Sequence, residues 1–172
     1  SGSAKSGSSV SEGSADTTAP VITINSGNDT VENGGTWTDA GATADTGETV
    51  TASGTVNTSV NGTYTITYSV TDSAGNVATP VTRTVVVQDT TAPVITINSG
   101  TDTVQNGGTW IDAGATADTG ETVSVSGTVD TSTNGTYTIA YSATDSSGNT
   151  GTAIRTVTVV DSGSGSGSGS GS

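Results

Sequence analysis

Tyr64, Ile66, Tyr68 and Val70 alternate with Thr65, Thr67 and Ser69. A period of two puts the four larger side chains on one face of a pleated strand and the hydroxyls on the other. The segment TYTITYSVTD is therefore the clearest predicted strand. It lies between two turn sequences, Asn61-Gly62 and Asp72-Ser73-Ala74-Gly75-Asn76, in which Gly and Asn tolerate positive φ. Pro20 opens an earlier strand, VITIN, because Pro at a first strand position forfeits no ladder bond. After the turn Asn33-Gly34-Gly35, the triplet Thr36-Trp37-Thr38 reads as a short strand. Residues 41–47 read as a loop, ETVTAS as a strand, and a last strand runs to Val87. Turn signals fall about every 8–12 residues, the spacing of a small sandwich. The predicted core is Tyr64, Ile66, Tyr68, Val70, Val85, Val87 and Trp37.

The pattern then repeats. Residues 16–76 align without a gap on 89–149, with 51 identities in 61 positions. One residue is lost beyond Asn149, and the copies rejoin as RTVVVQD and RTVTVVD. Such identity implies duplication, and the fragment is expected to come from a longer array. The reading is all-β: two tandem β-sandwich repeats, 16–88 and 89–161, with flexible Ser/Gly-rich ends at 1–15 and 162–172. The second copy also assigns faces. Val86 becomes Thr158 while Val85 and Val87 stay Val157 and Val159, so the conserved pair points inward and Val86 outward. Thr38 becomes Ile111, which places that position at a rim or surface.

Composition narrows the function. Hydrophobic residues are only 29%, which raises disorder as a rival, but the Val, Ile and Thr that dominate suit half-buried strands. Net charge is −13 with three basic residues, which excludes nucleic acid and disfavours anionic membranes. No run of 18 apolar residues predicts a membrane span. Without a signal peptide or an initiator Met, the chain is expected to be a mature or excised piece. Cys and His are absent and the only Lys is Lys5. That removes disulfides, thiolate chemistry and a Lys–Asn isopeptide bond within either repeat. A serine nucleophile would have only a carboxylate as base, and a small sandwich is a poor host for paired glycosidase carboxylates. The expectation is no enzyme.

Four segments carry a family resemblance: DTTAPVITIN at 16–25, DAGATA at 39–44, GTYTITYSVTDSAGN at 62–76 and RTVVV at 83–87. Together, and again in the second copy, they resemble the bacterial immunoglobulin-like surface domain family. The resemblance implies immunoglobulin-like sandwiches chained in adhesins, S-layers and other surface proteins. It also implies that Tyr64 and Tyr137 are tyrosine-corner residues. The segment DTGET at 45–49 is shorter than the acidic segment many relatives carry there.

On an immunoglobulin topology, the start of the first strand and two loops meet at one pole. The first repeat would bring Asp16, Asp39, Asp45, Glu48 and Asp72 there, and the second Asp89, Asp112, Asp118, Glu121 and Asp145. Two readings fit. A hard cation with six to eight oxygen ligands, Ca²⁺ before Mg²⁺, would relieve the repulsion. Asp89, Asp112, Asp118 and Asp145 would then stiffen the repeat junction, where Pro93 already restricts the backbone. The alternative is that the acids cap Asx-turns and pair with Arg83 or Arg155. Trp37 and Trp110 either fill the core or stack on sugars. The sequons at Asn28, Asn57, Asn61 and Asn134 would carry N-glycans in an archaeal or eukaryotic source.

The function this predicts is an extracellular or cell-surface spacer, with neighbouring repeats of the same chain as its partners. Two alternatives are a module binding a cell-surface glycan or protein, and a subunit of a filament or surface layer.

Overall fold

The computed structural model of the chain describes residue 2 and residues 13–163. The expectation of flexible ends at 1–15 and 162–172, and Lys5 with it, lies almost wholly outside these residues. Among the described residues all regular structure is strand. The chain divides into two compact units between Gln88 and Asp89.

In the first unit, β1 (Ile22–Ile24) pairs antiparallel with β3 (Ala42–Ala44), and a four-stranded sheet has the order β2-β6-β5-β4. Its members are β2 (Thr30–Glu32), β4 (Thr51–Ser53), β5 (Gly62–Ser69) and β6 (Val81–Gln88). β6 runs antiparallel to β5 and parallel to β2. The second unit repeats this with β7 (Ile95–Ile97) and β9 (Ala115–Ala117), beside a sheet of order β10-β11-β12-β8. That sheet holds β8 (Thr103–Gln105), β10 (Ser124–Ser126), β11 (Gly135–Thr144) and β12 (Thr150–Val160).

The core lies where the period-two pattern places it. Ile66, Tyr68 and Val70 pack with Ile22, while Ile24, Ala42 and Ala44 from the small sheet close over them. Val85 and Val87 are buried and Val86 is half-buried, and Val157, Val159 and Thr158 behave alike. Each such aliphatic side chain contributes about 1.5–3 kcal/mol by leaving water. Ile111 is 80% exposed, so that position is surface. Three expectations need correction. Residues 36–38 form no strand. Residues 42–44, inside the expected loop, are β3, because β1 supplies a partner edge. Trp37 and Tyr64 are half-buried rather than buried, as are Trp110 and Tyr137. Each places its polar end at the rim, where a backbone carbonyl accepts from it.

The lost residue reshapes the last hairpin. In the second unit β11 and β12 pair without interruption from Gly135↔Val159 to Thr144↔Thr150. In the first, the ladder holds to Tyr68↔Val81 and resumes at the bridge Thr71↔Val77. Between those pairs two residues, 69 and 70, face three, 78–80. This is a β-bulge, and it contains Pro80, which has no N–H for a ladder bond. Gly75 and Gly148, at φ 91 and 92, turn the two hairpins.

Candidate functional site

The loop acids are held mainly by their own turns. Asp16 and Asp89 accept the N–H of Thr18 and Thr91. Asp45 and Asp118 accept the N–H of Val21 and Val94 at 2.8 Å, tying the chain before β1 and β7 to the far side of β3 and β9. Glu48 and Glu121 accept the hydroxyls of Thr46 and Thr119. Asp72 accepts the N–H of Ala74 and Asn76 and the Asn76 amide, and Asp145 repeats this with Ser147 and Asn149. Bonding to the Asn76 side chain, above all, lowers the Asp72 pKa, and Asn149 does the same for Asp145. Hydrogen bonds to a carboxylate favour its charged form.

Part of the expected convergence is present. The Asn76 amide bridges the Asp72 carboxylate and the Asp16 carbonyl. Asn149 does the same between Asp145 and Asp89, and Ser147 adds a bond to the Asp89 carboxylate at 3.0 Å. Asp39 and Asp112 instead turn inward. Among the described residues no three acids come together in a group that could hold a metal ion.

Asp39 turns toward the most connected group of the first unit, the Arg83 guanidinium, whose side chain is 2% exposed. Nε donates to the Tyr68 hydroxyl at 3.0 Å and lies 3.5 Å from Asp39. Nη1 donates to Asp29 at 2.6 Å. Nη2 donates to the Asn25 and Gly41 carbonyls. The Tyr68 hydroxyl donates to Asp39. One side chain on β6 thus gathers the end of β1, the approach to β2, the loop before β3 and the last part of β5, at Tyr68. Arg155 rebuilds the clasp with Tyr141, Asp102, Asp112 and the Asn98 carbonyl.

Burial of an arginine is unfavourable unless its donors are matched, and the match here is close. Among the described residues no buried side-chain polar atom lacks a partner. The Asp29 bond, first among the causes, holds the Arg83 pKa above its ordinary value, and Asp102 does so for Arg155. Burial, reinforced by the Asp39 bond, raises the Tyr68 pKa. Neutral tyrosine can donate to the carboxylate while accepting from the guanidinium.

The expected pairing of Arg83 with a loop acid holds for Asp39, but its site is interior, not polar rim. Asp29 and Asp102 were absent from the expected set. Arg83 itself was legible, since it shares parity with the inward Val85 and Val87. The tyrosine corners form as the resemblance implies: Tyr64 and Tyr137 hydroxyls donate to the Val60 and Thr133 carbonyls at 2.8 Å. Trp37 packs against the core and its indole N–H donates to the Asn28 carbonyl at 3.0 Å. Trp110 matches it on Thr101. The Asn28 and Asn57 side chains accept from Thr30 and Ser59 in local turns. A groove of about 300 Å³ beside β1 is lined by Ala19, Pro20, Val21, Ile22, Thr79 and Val81, none of them ionisable.

Residues 22–87 and 94–159 each match the family model described as bacterial surface protein, Ig-like domain. No curated protein matches the chain. Among solved structures, the crystal structure of a lipoprotein from Bacteroides thetaiotaomicron is similar at 16% identity, covering 80% of each chain. Its TM-score of 0.34 is too low to carry an argument.

Proposed function

The chain belongs to the bacterial surface protein family of Ig-like domains, and from that premise we propose that its two repeats are a structural spacer. They would hold another module of a secreted or cell-surface protein away from its anchor. The observation that carries this reading is where the reactive groups go. Both arginines of the repeats are consumed inside the two clasps, and the loop acids bond mainly within their own turns. The groove beside β1 is lined by no ionisable residue, and a spacer calls for no catalysis. The pinned, half-buried Trp37 and Trp110 support a structural role over sugar stacking. Neighbouring repeats of the same chain are the proposed partners.

The test is binding of the two-repeat chain to arrays of cell-surface glycans and purified surface proteins. The spacer reading expects no saturable binding. Saturable binding abolished by Trp37→Ala, in a variant that still melts cooperatively, would overturn it in favour of an adhesin module.

A further inference from the structure

In each repeat the entering segment is fastened to the leaving strand. β2 lies parallel to β6, with Thr30, Val31 and Glu32 opposite Val86, Val87 and Gln88. The Val86 N–H donates to the Asp29 carbonyl and the Asn33 N–H to the Gln88 carbonyl, both at 2.8 Å. Arg83, on the leaving strand, grips the Asn25 carbonyl and the Asp29 carboxylate of the entering segment. The second repeat keeps each part. β8 lies parallel to β12, Thr158 donates to the Asp102 carbonyl, Asn106 donates to the Val160 carbonyl, and Arg155 grips Asn98 and Asp102.

Parallel pairing decides how a pull along the chain is felt. Tension enters β2 at Thr30 and leaves β6 at Gln88, the two ends of the paired stretch. The bonds between them are loaded in shear and must yield together, whereas a hairpin loaded at its open end unzips one bond at a time. β1 comes first, but among the described residues its only regular pairing is a three-residue ladder to β3. If β1 strips away, the pull passes to Asn25 and Asp29, and so to Arg83.

We propose that the buried arginine clasp is the element of each repeat that resists tension along the chain. This rests on the spacer reading, since sustained tension requires tethering at both ends. The short parallel ladder supplies shear geometry, and the guanidinium adds charge-assisted bonds, roughly twice as strong as neutral ones.

Stretching the full chain between its two ends in a single-molecule force experiment tests this. Two unfolding events are expected, each releasing about 70 residues, or roughly 250 Å of chain. In the double variant Asp29→Asn, Asp102→Asn, both rupture forces should fall, because each guanidinium loses its ion pair with the entering segment and keeps only a charge–dipole contact there. Tyr64→Phe with Tyr137→Phe supplies the control. It removes hydroxyl bonds that do not join the entering segment to the leaving strand. It should lower the denaturant midpoint comparably yet leave the forces unchanged. Unchanged forces in the aspartate variant, or an equal fall in the tyrosine variant, would overturn the clasp. Neither result touches the spacer reading, which stands or falls on the binding arrays.

Discussion

The two repeats keep the same clasp and close their last hairpins differently. Arg83 and Arg155 hold equivalent tyrosines, aspartates and the matching carbonyls of Asn25 and Asn98, with the arginine–aspartate bond at 2.6 Å in both, and Arg83 also bonds the Gly41 carbonyl. The hairpins above them diverge. β5 and β6 are interrupted by a bulge at 78–80, while β11 and β12 pair regularly for ten residue pairs. A residue can be gained or lost in the hairpin because its end is solvent-exposed and its pairing local. The clasp has no such freedom, since any change leaves buried donors or acceptors unmatched. Conformational tolerance in this fold thus follows how many elements a side chain ties together.

The sharpest way to break the shared part is Arg83→Met, or Arg155→Met in the second copy. Each leaves two carboxylates without their cation, together with the Asn25 and Gly41 carbonyls in the first repeat and the Asn98 carbonyl in the second. The expected loss is about 3 kcal/mol, at the low end for breaking a buried pair, because Asp29 and Asp102 are partly exposed and water can reach them. The two losses should agree, as read from the two variants by denaturant unfolding. Next comes the part that differs. Gly151 opposes Ala143 as Ala78 meets Val70. A Cβ at Gly151 would lie 1.8 Å from the Pro93 carbonyl oxygen. Gly151→Ala should therefore cost about 1–3 kcal/mol through overpacking. The reverse change, Ala78→Gly, should cost only about 0.5–1 kcal/mol.

Smaller effects follow from the loop carboxylates. Asp72 and Asp145 have folded pKa values below the ordinary one, chiefly through Asn76 and Asn149. Their contribution is full above the unfolded carboxylate pKa, about 3.9. It is lost as pH falls through the depressed folded values. Asp72→Asn and Asp145→Asn should flatten the acid limb of a stability–pH curve and leave neutral stability slightly reduced. Smallest is the response to Ca²⁺. A bound ion at a hundredfold excess over Kd would add about 2.7 kcal/mol. With the acids dispersed among turns and clasps, the melting temperature is expected to be the same in millimolar Ca²⁺ and in EDTA.

Much of the fold is written in β5 and in the pair Val85 and Val87, where alternation runs long enough to fix a face. The three-residue strands β2 and β3 are not legible, since one and a half periods cannot be told from a loop. They exist because β6 and β1 offer them edges. Trp37 misled for the opposite reason: a large β-former beside a turn looks like a strand but closes a rim. In the candidate site, Arg83 was readable by parity. Asp29 was not, because its partner lies 54 positions away and only the parallel β2–β6 pairing brings them together.

A double-mutant cycle on Arg83→Met and Asp29→Asn, repeated on Arg155→Met and Asp102→Asn, tests the clasp most directly. Denaturant unfolding of the four states in each cycle gives the coupling energy. The clasp predicts about 1–2 kcal/mol in both repeats, equal between them, because contacting charged partners do not add. Additivity within about 0.5 kcal/mol would contradict it, since that is how independent sites behave.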